Sequence, residues 1–465
     1  MGANEWNTDA AAIFAQHFAR TGFDDIPQNA VDAVKKSVLD TLGVSLAATT
    51  LGAGGRQLAE LAKDGGGKEE STLWGFGGRV PACMAAWVNG GLAHSLDFDD
   101  IHYEGPTHPS GAIIPAAFAV AESVAPTSGK EFITAVALGH DMLMRMTSSM
   151  LDEVDLLGQW LSFPLFAVFA VAATASKLLK LEHEKTHMAI GASLAYATGA
   201  GEMKRGDLRG LYDSWAAMGG ILAAHLARKG ITGSAVPLEG EEGFFDAYYQ
   251  KKYDRKVLLG DLGTKFYGGN FGYKAWPSCA STHPGINATL DLVREHAIAA
   301  EDVEQITVFA GPHAQINCEP VEYMRRPAAI MDAKFSVPYT VALAVIKKNV
   351  TLGDFTLDAI KNPEVLKMAQ KVVPVISEDL RATRGLDPGI VQITTKSGKK
   401  HSKRIDFVYG HPRNPMSMQA VIDKFMASAA YSVKPFAPDT LEEVISLVQK
   451  LEEVNDVSRI VRLLG

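Results

Sequence analysis

Two kinds of hydrophobic periodicity alternate along this chain, and their order limits the architectures it can adopt. From the N-terminus to about Gly268 apolar side chains recur at three- and four-residue steps, as in Val31, Val34, Val38, Leu42 and Leu46, with Pro27 placed for a first helical turn. Ala85 to Leu96, Gly111 to Val124 and Lys130 to Met144 read as helices rich in alanine and glycine, able to approach one another closely. The pattern then changes. Val303 to Ala310 and Ile390 to Thr395 alternate polar and apolar residues, and the second runs through a Ser397-Gly398 turn into a basic return strand. Helices are expected near Pro284 to Glu295, before the first stretch, and near Asp332 to Ile346, between the two. After Asp406 helical spacing returns, with Thr440 and Glu443 spaced as a capping box and Leu441, Val444, Leu447, Val448 and Leu451 as a core stripe. The expected fold is mostly α with an α+β insertion: a large all-α domain from residues 1–268 and 406–465, and a smaller α/β domain at 269–405.

Charge and composition exclude several function classes. A net charge of −8 argues against a general nucleic-acid binder, which needs a basic surface to neutralise phosphates. An acidic protein that binds an anionic substrate must gather its positive charge in one place. Three scattered cysteines, Cys83, Cys279 and Cys318, suit neither a disulfide framework nor a paired-cysteine zinc site, and a cytoplasmic protein is expected. Met1 to Phe18 lacks the basic-then-apolar pattern of a signal peptide. Trp160 to Leu179 is nearly all apolar, but it is short for a span, holds Pro164 and contains Lys177. A helix buried on all sides is expected there, and no membrane partner.

The densest polar cluster is His94-Ser-Leu-Asp97-Phe-Asp99-Asp100-Ile-His102, followed by Thr107-His108-Pro109-Ser110-Gly111, set between apolar helical segments. Acids at a helix end, satisfied by backbone amides, are the structural alternative. So many titratable groups in an apolar setting instead suggest tuned acid–base chemistry. Metal binding is a second option. The His140-Asp141 pair on another helix is of the kind that all-α metal-dependent phosphohydrolases use.

NGGLAHSLDFDD and THPSGAIIPAAFAVAE strongly resemble the MmgE/PrpD family. KAWPSCASTHPGINATLDL (Lys274 to Leu292), AKFSVPYTVALAV (Ala333 to Val345), HPRNPMS (His411 to Ser417) and the DTLGVSLA helix at Asp40 to Ala47 resemble further family blocks in order. The resemblance implies an all-α domain with an α/β lid, usually a homodimer, an active site in the cleft between them, no cofactor and no metal, and a small anionic carboxylate substrate. The family holds 2-methylcitrate dehydratases, cis-aconitate decarboxylases and an iminodisuccinate epimerase. Asp97 and His108 match the acid and histidine of its first active-site block, Lys274 the lysine of its lid block, and His283 a following histidine. This chain departs elsewhere: the family lysine near mid-chain aligns with Arg209, a lid histidine with Cys279 and a threonine with Ile101. Trp160-Leu161-Ser162-Phe163 stands where a catalytic histidine would be.

Removing a proton beside a carboxylate builds up an enolate-like dianion, which needs a base in reach and fixed positive charge. His108 or Lys274 is the expected base, with Asp97 and Tyr323 as further catalytic candidates. Arg209 and Arg145, with Arg325 as another choice, could fork onto a carboxylate. His102, Tyr212, Cys279 and His283 are the remaining substrate-binding candidates. Tyr212 could also serve as a second acid, and Cys279 lacks a dedicated base. Without a histidine at 160–163 to serve a leaving group, an isomerase on an iminodisuccinate-like dicarboxylate is expected. A family lyase is the alternative, and a metal-dependent hydrolase or a non-catalytic binding protein are the rivals from other classes.

Overall fold

The computed structural model describes residues 8–105, 107–151, 160, 162–204 and 206–465. The chain divides into two compact units, Met1–Phe271 with Ser417–Gly465, and Gly272–Met416.

The first unit is helical. Its helices include α1 Gln28–Leu51, α2 Ala82–His94, α3 Pro109–Ser123, α4 Gly129–Ser148, α5 Ser162–Leu178, α6 Tyr212–Arg228 and α7 Met418–Ala429. Helix α5 is buried on every face from Pro164 to Ser176, as its uniform apolar composition requires. No described helix is long and apolar enough to cross a membrane. Around α5 pack α3, α4 and α6, and α2 lies against α3 and α6. Small residues make this closeness possible: a Cβ on Gly91 of α2 would stand 2.6 Å from the Ser214 Oγ of α6. Helix α4 opens on a capping box, with Glu131 N–H donating to Ser128 Oγ at 3.3 Å and Ser128 N–H to Glu131 Oε2 at 2.9 Å.

Helix α7 comes from the far end of the chain and packs on α1. Its buried Lys424 pairs with Asp40 Oδ1 of α1 at 2.7 Å and donates to the Phe98 carbonyl at 2.6 Å. A buried carboxylate is tolerated only when paired in this way. The following helix, Pro438–Gln449, begins at an Ala437 N-cap without a side-chain cap bond. Thr440 is therefore inside the helix and not its capping residue, and Glu443 pairs with Arg459 instead.

The second unit holds β1 Val303–Ala310, β2 Val372–Ile376, β3 Gly389–Thr395 and β4 Lys400–Ile405, in the order β2-β1-β3-β4. Strand β1 runs parallel to β2 and antiparallel to β3, with Ile306 opposite Ile393 and Val308 opposite Val391. These apolar residues are buried, and helix His283–Glu295 packs against β3 and β4. The helix expected over Asp332 to Ile346 is two helices, Ile330–Lys334 and Val337–Lys347. Ser336 breaks it by accepting from Tyr339 N–H at 3.0 Å as an N-cap, with Pro338 in the new first turn.

Candidate active site

Helix α2 ends at His94, and the chain then reverses. Asp97 N–H donates to the His94 carbonyl at 2.9 Å, and Asp97 adopts φ 52°, a left-handed conformation that aspartate tolerates better than most residues. The reversal brings Asp99 back onto the ring of His94. His102 N–H then donates to the Thr107 carbonyl at 2.9 Å, which closes a loop that delivers His108 to the N-cap of α3.

The result is a buried chain of three side chains. Asp99 Oδ2 lies 2.9 Å from His94 Nδ1 and 3.2 Å from His108 Nδ1, and the two imidazole rings meet edge-on with centroids 4.7 Å apart. His108 Nδ1 also faces the Asp100 carbonyl at 2.8 Å. A carbonyl only accepts, so this nitrogen carries its proton and acid–base change at His108 falls to Nε2.

Asp100 supports the arrangement from below. His108 caps α3 with no side-chain bond, and Asp100 does so in its place: its Oδ1 accepts from Ser110 N–H at 3.1 Å. Its Oδ2 takes the hydroxyls of Ser37, at 3.0 Å, and of Ser110. Ser110 Oγ lies 3.1 Å from His140 Nε2.

Burial and charge pull these groups apart. Burial alone would raise Asp99, but His108 and His94 outweigh it and hold its carboxyl well below the usual carboxylate range. Burial alone would lower His94, yet Asp99 pushes it up to about 9. Burial, then Asp40, drives Asp100 up to about 8. Burial depresses His140 to about 3. An imidazole pushed up, a carboxylate pushed down and a second carboxyl pushed up thus stand within seven residues of one another.

Asp97 is buried beside them, and its charge acts on both His94 and Tyr212. The Tyr212 ring sits 5.1 Å from that of His94, and burial raises its phenol above the ordinary range. Arg209 is half-buried in the turn just before α6 and adds positive charge near Tyr212. His102 faces elsewhere, with Nε2 2.9 Å from Ser148 Oγ, and burial lowers it to about 4.

Two arrangements differ from expectation. Arg145 is no free carboxylate fork. It is fully buried, pairs with Asp141 at 2.7 Å and donates to the carbonyls of Gly260, Asp261 and Lys265. Its partner four residues earlier on the same helix was the available signal. That pairing also removes the His140-Asp141 metal pair, because Asp141 serves Arg145 and Tyr267 N–H while His140 faces Ser110.

The remaining candidates belong to the second unit. Tyr323 is exposed and donates to Asp332 at 2.6 Å, a surface clasp and not the setting of a buried acid. Arg325 pairs with Glu322 and donates to the Val372 carbonyl. Cys279 N–H donates to the Lys334 carbonyl at 3.0 Å. His283 Nε2 faces the Trp276 carbonyl at 3.1 Å, and Lys274 is buried. Of the segment that lacks the expected histidine, Leu161 and the side chains of Ser162 and Phe163 lie outside the described residues.

Among the described residues, His94, Asp99 and His108 are the one group whose donor atoms gather closely enough to suggest a metal, all within 4.8 Å. In this structure the three side chains form a hydrogen-bonded chain, with His108 Nδ1 also facing the Asp100 carbonyl.

The comparisons agree with this architecture. A model of the MmgE/PrpD N-terminal domain matches residues 12–256, and one of the C-terminal domain matches residues 276–451. Human cis-aconitate decarboxylase is 29% identical over 442 residues, covering 92% of this chain and 89% of its own. The mouse cis-aconitate decarboxylase is 28% identical, covering 92% and 88%. That of Aspergillus terreus strain NIH 2624 is 22% identical, covering 95% and 93%. With both family domains in order along one chain, and relatives aligned over nearly all of it, the protein is an enzyme of the MmgE/PrpD family.

Proposed function

We propose that this enzyme is a lyase that removes carbon dioxide from cis-aconitate or a closely similar small tricarboxylic acid. Relatives named as cis-aconitate decarboxylases over 92% or more of the chain support this reading above the isomerase expected from sequence. The observation that carries it is the buried His94–Asp99–His108 chain. Breaking the bond to a carboxylate releases carbon dioxide and leaves an electron pair on substrate carbon, delocalised through the alkene. That carbanion must be stabilised by fixed charge and then given one proton. The His94 imidazolium supplies buried positive charge, and His108 delivers the proton from Nε2 while Asp99 and the Asp100 carbonyl hold its ring. Asp97, Tyr212 and Arg209 would orient the substrate's remaining carboxylates and polar groups. A homodimer in the cytoplasm belongs to the same reading, and light scattering of the purified protein checks the assembly.

The test is NMR in heavy water with cis-aconitate and a panel of citrate and succinate derivatives. Release of carbon dioxide with one deuteron gained per turnover is the expected result. Exchange of the α-hydrogen without carbon loss would overturn the proposal in favour of an isomerase. No reaction across the panel would make the chain a binding protein.

A further inference from the structure

Asp213 belongs to no motif in the sequence, yet it lies against the centre of the candidate site. It stands in the first turn of α6 and is 2% exposed. Its Oδ2 is buried without a hydrogen-bond partner among the described residues. The carboxyl fits only because residue 111 has no side chain. A Cβ at Gly111 would lie 2.0 Å from Asp213 Oδ2 and 3.6 Å from Asp99 Oδ2, so both carboxylates face one spot over the N-terminus of α3. The aspartates that brace the fold are arranged differently: Asp40 pairs with Lys424, and Asp141 with Arg145. A buried oxygen left unpaired costs stability, and such groups persist where their charge has a use.

We infer that Asp213 is a positioning residue of this site, a buried carboxyl whose charge sets when the His94–Asp99–His108 chain holds its proton. The inference rests on the acid–base reading of that chain proposed above. The groups that act on Asp213 are few. From α2 comes His94, which favours its ionised form; from the reversing loop comes Asp99, which opposes it. Gly111 of α3 brings no charge, and on its own helix Tyr212 is the neighbour, with Arg209 just before it. Burial first, with Asp99, raises Asp213 to about 7 against the pull of His94. Above that pH a further anion stands beside His94 and strengthens its hold on the proton; below it the cluster has one negative charge fewer.

The experiment titrates the substrate-free enzyme by NMR, with ¹⁵N in histidine and ¹³C in the aspartate carboxyls. In Asp213→Asn one carboxyl titration near pH 7 should vanish, and the His94 midpoint should fall by about one pH unit because its anionic neighbour is gone. Asp213→Glu should restore both, and the pH profile of kcat/KM should lose its step near pH 7 in the asparagine variant alone. Imidazole midpoints unchanged in a folded Asp213→Asn protein would overturn the inference. So would a wild-type Asp213 signal, assigned through the glutamate variant if the asparagine variant does not fold, that titrates below pH 5. Failure of the lyase reading would appear separately, as no turnover of cis-aconitate with the substrate-free titrations intact.

Discussion

Two aspartate–histidine arrangements in this protein are built from the same chemistry and differ in what surrounds them. In the second unit His313 Nδ1 lies 2.8 Å from Asp387 Oδ1, close to the 2.9 Å between His94 and Asp99 in the first. There the likeness ends. His313 is 44% exposed, and Asp387 spends its other contacts on the backbone N–H groups of His313 and Ala382, each at 2.8 Å. That pair is a clip between the helical turn Pro312–Asn317 and the loop before β3. Asp99 instead binds two imidazoles in a setting closed to water, with further carboxyls at Asp97, Asp100 and Asp213 around it. Burial and mutual coupling, and not the pair itself, make a group whose protonation states are separated enough for catalysis.

The comparison can be broken by substitution. His108→Ala should reduce kcat by about 10³-fold, since it removes the proposed acid–base group. Asp99→Asn should cost about 10²-fold, because it weakens the hold on both rings and removes the charge that keeps His94 protonated. Steady-state kinetics on whichever substrate the NMR panel identifies would read both, and a loss no larger than that from a surface substitution would equate the two pairs. Asp387→Ala should lower stability by about 1–3 kcal/mol in denaturant unfolding, because it strands backbone donors, while kcat stays within twofold of wild type. The smallest effect is in pH dependence. His94 holds its proton more tightly folded than unfolded, so its contribution to stability is complete below about 6.5 and is lost as pH rises through about 9. Melting curves of wild type and His94→Gln should therefore differ most near pH 6 and converge above pH 9.

Much of the fold was legible because its signals are local. Helices α2, α3 and α4 begin and end within a few residues of their alanine-rich patterns, and β1 spans its alternating stretch end to end. The break at Ser336 was one exception: a capping serine and a proline interrupt an otherwise continuous apolar run. In the site, the 94–108 stretch announced itself by composition, and its roles did not. Pairing of His94 with Asp99 depends on the left-handed turn at Asp97, which no spacing rule supplies. Asp213 is more than a hundred residues away in sequence and reaches Gly111 only through helix packing, so nothing near it in the sequence marked it.

The ion pair between Lys424 and Asp40 has a consequence for the order in which the protein can be made. Asp40 is translated before its counter-charge, which follows the whole second unit. Until then a carboxylate destined for the interior lacks its Lys424 ion pair, and the Phe98 carbonyl beside the reversing loop lacks the Lys424 donor. A nascent chain stopped at Met416 would hold every residue of the His94–Asp99–His108 chain and still lack the clamp beneath it. The first unit is thus completed only by a segment that follows the second unit in the chain.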